Sequence, residues 1–147
     1  MTLRQWASSG WLKPHDPSRE EMDNLLAIVD RDLEEAAHAS SPDWQLGIAY
    51  NAALKLCAVL LHASGYRAAH GLQHYRTITA LPLILGAERE DDATYLDSCR
   101  LKRNTVEYER VGAVTANDAS ELIDFVRELR AAVLTWLKKE HPELASS

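Results

Sequence analysis

The densest chemical signal in the chain is the basic run Arg100-Leu101-Lys102-Arg103-Asn104, followed by Glu107 and Tyr108. A guanidinium is a permanent cation with a planar fork of donors, suited to a phosphate or a carboxylate. Glu107 and Tyr108 are groups able to move a proton. Neither is set for it at neutral pH, since an ordinary carboxyl titrates near about 4.3 and a phenol near about 10. Placed at about 100° per residue, Tyr95, Leu96, Cys99, Arg103 and Val106 fall on one side of a helix. Leu101 and Tyr108 fall on the other, with Asp97 and Asn104 beside them. Arg103 therefore sits on the stripe that faces a core, where a guanidinium needs a partner or a cavity. The stripe of Leu101 and Tyr108 remains for a contact with another chain.

Other chemistry-bearing residues are sparser. His70 and His74 are four apart, a spacing that can bring two imidazoles to one metal, but no third ligand follows at useful spacing. Helix-start capping is the plainer reading, and no metal or cofactor is expected. Cys57 and Cys99 both fall on apolar stripes and read as buried, inert thiols. No glycine-rich phosphate loop is present. Trp6 and Trp11 flank Ser8-Ser9-Gly10 near the N-terminus, and two indoles in so short a segment must cover something. That arm, residues 1–15, either lies over its own bundle or reaches a second subunit.

The elements that must position these groups are helices. Met22, Leu25, Leu26, Val29, Leu33 and Ala36 step by three and four behind Asp16-Pro17-Ser18, a capping start. Leu46, Tyr50, Ala53, Leu54, Cys57, Leu60 and Leu61 repeat the pattern behind Ser41-Pro42-Asp43 and end at Gly65. The spacing of Tyr75, Ile78, Leu81 and Leu85 predicts a third helix over 70–85, kinked or broken at Pro82. A fourth runs over about 92–110. A fifth starts at Thr115 with a Thr115/Asp118 capping box, buries Leu122, Val126, Leu129, Val133 and Trp136, and stops at His141-Pro142. The expectation is an all-α, up-and-down antiparallel bundle of about five helices over residues 16–147.

Composition sets outer bounds. At 147 residues the chain fits one domain with its own core. A net charge of −6 argues against a protein held mainly on nucleic-acid backbones. Its two cysteines exclude a disulfide scaffold. The longest unbroken apolar runs are only a few residues, so no membrane span is expected, nor a secretory leader, and the location expected is cytoplasmic.

Several tracts resemble the HEPN superfamily (higher eukaryotes and prokaryotes nucleotide-binding domains). They are Ala49-Tyr50-Asn51-Ala52-Ala53-Leu54, the turn Gly65-Tyr66-Arg67, the His-bearing helix start Gly71-Leu72-Gln73-His74-Tyr75 and the late pair Arg103-Asn104. The segment from Leu101 to Tyr108 looks like a bacterial branch of that superfamily. The resemblance covers most of the chain and implies a four- or five-helix bundle, a homodimer and a nucleotidyltransferase partner in a toxin–antitoxin-like pair. Nuclease members carry an arginine, four to six residues, then a histidine, giving metal-free RNA cleavage a cation for the phosphate and a base near neutrality. This chain departs from that motif: no histidine follows Arg100 or Arg103 at those gaps. Arg67 to His74 and Arg31 to His38 match it formally, at a frequency the composition yields by chance.

Three functions follow as expectations. The first is a non-catalytic or degenerate domain that dimerises through Leu101 and Tyr108. It binds a protein, nucleotide or RNA partner at Arg103, Asn104, Arg100 and His74. The second is a ribonuclease toxin in which Arg103 steadies the phosphate and Glu107 or Tyr108 replaces the missing histidine. The third is a small-molecule binding bundle with a pocket near His74, Tyr75 and Arg103.

Overall fold

The computed structural model describes residues 1–108 and 112–146, with the side chains of 106–108 outside that description. Its helices are α1 (Leu3–Ser8), α2 (Arg19–His38), α3 (Pro42–Ala63), α4 (Gln73–Thr79), α5 (Leu81–Leu85), α6 (Glu90–Tyr108) and α7 (Ala116–Glu140). Short 3-10 turns precede α6 and follow α7. The fold is all-α, as the periodicity predicts.

Helix starts follow the capping residues. Ser18, Ser41 and Thr115 are each extended at the N-cap, and each accepts a bond from the backbone N–H three residues on. At Thr115 the bond is reciprocated by Asp118, completing the capping box. Gly65, in the left-handed region at φ 93°, follows the α3 C-cap.

Helix α3 is the centre. Leu46, Tyr50, Leu56, Leu60 and Leu61 are buried, and so are residues on its other faces, because α2, α6 and α7 pack around it. Its mean hydropathy of 1.5 and its 22 residues are enough to cross a membrane by length and composition. Burial of two thirds of that window against its own chain marks it as a core helix instead. The short unbroken apolar runs therefore understate this helix, in which single polar residues interrupt an apolar average.

Two polar contacts lock α2 onto its neighbours. Asp32 of α2 is buried and accepts from Asn51 Nδ2 of α3 at 2.6 Å and from Arg31 at 3.0 and 3.1 Å. Asp30 accepts from Arg130 Nε of α7 at 2.6 Å. Asp32→Ala is expected to lower unfolding stability by about 2–3 kcal/mol, because the Asn51 amide is left without its acceptor. Urea melts of the variant, against those of Arg31→Ala with a loss of about 1 kcal/mol or less, check this.

The segment 70–85 is broken beside Pro82 into two helices. Helix α4 ends at Thr79 with Ala80 as its C-cap, and α5 begins at once with Pro82 in its first turn, where the missing N–H costs nothing. His74, at the start of α4, lies against Tyr50 midway along α3, and Ala80 packs with Leu61 near the α3 end. The pair thus runs alongside α3 in the same direction. Two strands make this possible: β1 (Leu12–Pro14) and β2 (Tyr66–Ala68) pair antiparallel, with Leu12 opposite Ala68 and Pro14 opposite Tyr66. Strand β2 carries the chain back from the end of α3. The tryptophan-bearing segment packs on the same molecule. Trp6 and Leu12 are buried with Leu61 and Ala80, the two indoles meet edge-on at 5.6 Å, and Arg76 lies 3.5 Å over Trp11.

Candidate functional site

The sequence-predicted site residues gather where α3, α4 and α6 meet. Tyr50 is buried in α3 because its position belongs to the inward stripe. Its ring is covered by the Arg103 guanidinium of α6, whose central carbon stands 5.4 Å from the ring centroid. Its hydroxyl lies 3.4 Å from Nδ1 of His74, and the two rings are 6.2 Å apart. One turn before Arg103, Arg100 donates to Asp97 at 2.7 Å and stands 5.8 Å from the Tyr75 ring centroid. Arg103 on the core-facing stripe thus meets an aromatic face.

The electrostatics of this corner are positive. Burial, then the charges of Arg103, Lys55 and Arg100, lower the His74 pKa, so its imidazole is neutral at pH 7. Burial raises the Tyr50 phenol above its ordinary value, with Arg103 and Arg100 opposing, so the hydroxyl stays protonated. A neutral imidazole beside a protonated phenol and two guanidiniums can accept a proton, donate a hydrogen bond, or hold an anion.

The rest of the predicted set divides. Leu101 points outward, 54% exposed, as a contact stripe requires, and Asn104 is half-buried beside Arg103. Lys102 lies 3.3 Å from Asp118 of α7, which takes it out of the basic run. The side chains of Val106, Glu107 and Tyr108 lie outside the description, as do Glu109 and Arg110 altogether. Cys57 and Cys99 are buried, and burial pushes the Cys57 thiol up to about 12, which fits inert thiols. His70 is exposed, and His70 and His74 belong to no three-residue ligand group among the described residues.

Leu72, ahead of α4, takes φ 51°, the left-handed region where a side chain crowds the backbone. It caps the helix without a side-chain bond and is 64% exposed. Leu72→Gly is expected to stabilise the chain by up to about 1 kcal/mol, the relief of the left-handed strain outweighing glycine's added freedom when unfolded. Urea melting measures the sign, and a loss of stability would show that the leucine side chain is held by packing.

A second cluster escaped the sequence reading. His15, after β1, and His62, in the last turn of α3, both meet the carboxylate of Glu21 in the first turn of α2. The available signal was the antiparallel pairing of α2 with α3, which brings an early Glu and a late His to the same end of the bundle.

Comparison of the chain with protein-family models, curated proteins and solved structures finds no match. Fold and site together define an all-α bundle with an arginine–histidine–tyrosine corner.

Proposed function

We propose that the chain is a HEPN-like, non-catalytic binding domain that holds a phosphate-bearing ligand, a nucleotide or an RNA end, against α4 and α6. The observation that carries this reading is the corner itself. In a chain of net charge −6, Arg100, Arg103 and Lys55 act together on His74, with the half-exposed Tyr75 ring available to stack on a base. The tracts that resemble the superfamily supply Tyr50, His74, Tyr75 and Arg103, each of them in this corner. The exposed Leu72 and Leu101 lie just ahead of α4 and on α6, and they give a homodimer its apolar contact. A nucleotidyltransferase partner and a cytoplasmic, toxin–antitoxin-like setting belong to the same reading.

One observation favours a second reading, a metal-independent ribonuclease. The motif histidine missing after Arg103 has a counterpart in space: His74, from α4, is neutral and close enough for the Arg103 charge to act on it. His74 then takes the role first assigned to Glu107 or Tyr108. A metal-free RNA cleavage assay on wild type, Arg103→Ala and His74→Ala, with light scattering for mass, separates the two. A dimer that binds RNA or nucleotide without cutting supports the binding domain. Cleavage abolished by either substitution makes the protein a nuclease. A monomer with neither binding nor cleavage overturns both.

A further inference from the structure

His15 and Glu21, six residues apart, meet the distant His62 where the start of α2 adjoins the end of α3. His15 Nε2 lies 2.8 and 2.9 Å from the two oxygens of Glu21, and His62 Nδ1 lies 2.9 Å from Glu21 Oε2. One ligand atom from each residue lies within 4.8 Å of the other two, and no other such trio occurs among the described residues. We propose that His15, Glu21 and His62 form a site for a divalent transition-metal ion, with zinc as the ion of the matching ligand chemistry.

The donor set is two imidazoles and one carboxylate, a three-ligand set that zinc accepts with a fourth position left to water. Hard ions such as magnesium prefer oxygen ligands and six-fold geometry, which this set does not offer. A tetrahedral ion with bonds of about 2.0–2.1 Å holds its ligand atoms roughly 3.3 Å apart. The carboxylate now bridges the two nitrogens at hydrogen-bond distance, so side-chain rotation alone opens the centre. The side chains are 22, 28 and 23% exposed for His15, Glu21 and His62, which leaves both an entry path and room for a water.

The backbone holds the trio in place. The His15 N–H donates to Gly65 O at 2.9 Å, at the turn that ends α3. The Glu21 N–H donates to the Ser18 cap, and His62 sits on α3 itself. The imidazole rings are already in contact, with centroids 4.5 Å apart and planes tilted 40°. Burial, with help from His15 and Arg67 and against the pull of Glu21, lowers the His62 pKa and so keeps a lone pair available at neutral pH. Burial raises the Glu21 pKa, but bonds to His15 and His62 outweigh it, so the group is a carboxylate. On binding, the ring nitrogens that now face Glu21, His15 Nε2 and His62 Nδ1, turn their lone pairs to the ion, and the ring proton sits on the outer nitrogen, His15 Nδ1 or His62 Nε2. The ion would tie the residues after β1 to the adjoining ends of α2 and α3.

The test uses the tag-free chain, stripped with chelator and titrated with zinc or magnesium chloride in a calorimeter. One equivalent of zinc and no magnesium is expected to bind. His15→Gln, Glu21→Gln and His62→Gln are each expected to weaken zinc binding at least about tenfold, with helicity checked by circular dichroism. Cobalt added to the wild-type chain gives a readout independent of variant folding. An intense four-coordinate visible spectrum is expected, and a pale six-coordinate one overturns the proposal. Zinc binding that survives in the folded His15→Gln and His62→Gln variants, or less than half an equivalent bound by wild type, also overturns it.

Discussion

Arg103→Ala is expected to weaken binding of a short RNA or a nucleoside triphosphate by about ten- to a hundredfold, the loss of one charge-assisted contact worth roughly 1.5–3 kcal/mol. The same substitution uncovers the Tyr50 ring, whose contact with the guanidinium is a smaller effect of about 0.5–2 kcal/mol on stability. Arg103→Lys keeps the charge and discards the planar fork, so its affinity falls between the two. Fluorescence anisotropy over a salt series checks the mechanism. For a single-stranded ligand, losing one phosphate contact reduces the salt slope by about 0.7. An unchanged affinity and slope in Arg103→Ala would remove this corner from the binding reading.

The second large effect concerns the platform under that arginine. Tyr50→Ala is expected to destabilise the fold by about 3–5 kcal/mol, because it deletes a large side chain that is fully buried in the central helix. Tyr50→Phe keeps the ring beneath Arg103 and loses only the 3.4 Å contact to His74, so it is expected to cost about 1 kcal/mol or less. Urea melts of both, with ligand affinity measured on Tyr50→Phe, separate the scaffold role of the ring from any role of its hydroxyl. A Tyr50→Phe loss as large as that of Tyr50→Ala would show that the hydroxyl, not packing, dominates.

Much of this architecture was legible because it is local. Ser18, Ser41 and Thr115 announce helix starts by their own side chains, and the stripes from Met22 to Ala36 and Leu46 to Leu61 need only their spacing to be read. Arg103 was recognisable as a misfit on an inward stripe, and the structure supplies its aromatic partner. What was not legible depends on pairings between distant segments. Strands β1 and β2 are three residues each, too short to alternate, and exist because Leu12 meets Ala68 across 56 positions. The break between α4 and α5 was legible from Pro82, which falls in the first turn of α5, but the packing of α4 along α3 was not. His15, Glu21 and His62 have no common motif, and only the antiparallel closing of α2 on α3 makes neighbours of them.

The placement of α3 at the centre has a consequence for synthesis. Ala63 completes this helix, but the last residue of α7, which covers one of its sides, is Glu140, 77 positions later. At elongation rates of about 5–20 residues per second, that interval is roughly 4–15 s. Through it the nascent chain presents a 22-residue segment apolar enough to be taken for a membrane span, shielded on one side by α2. Closure of the α2–α3 hairpin is therefore the first packing step that can take part of this apolar surface out of water before α7 arrives.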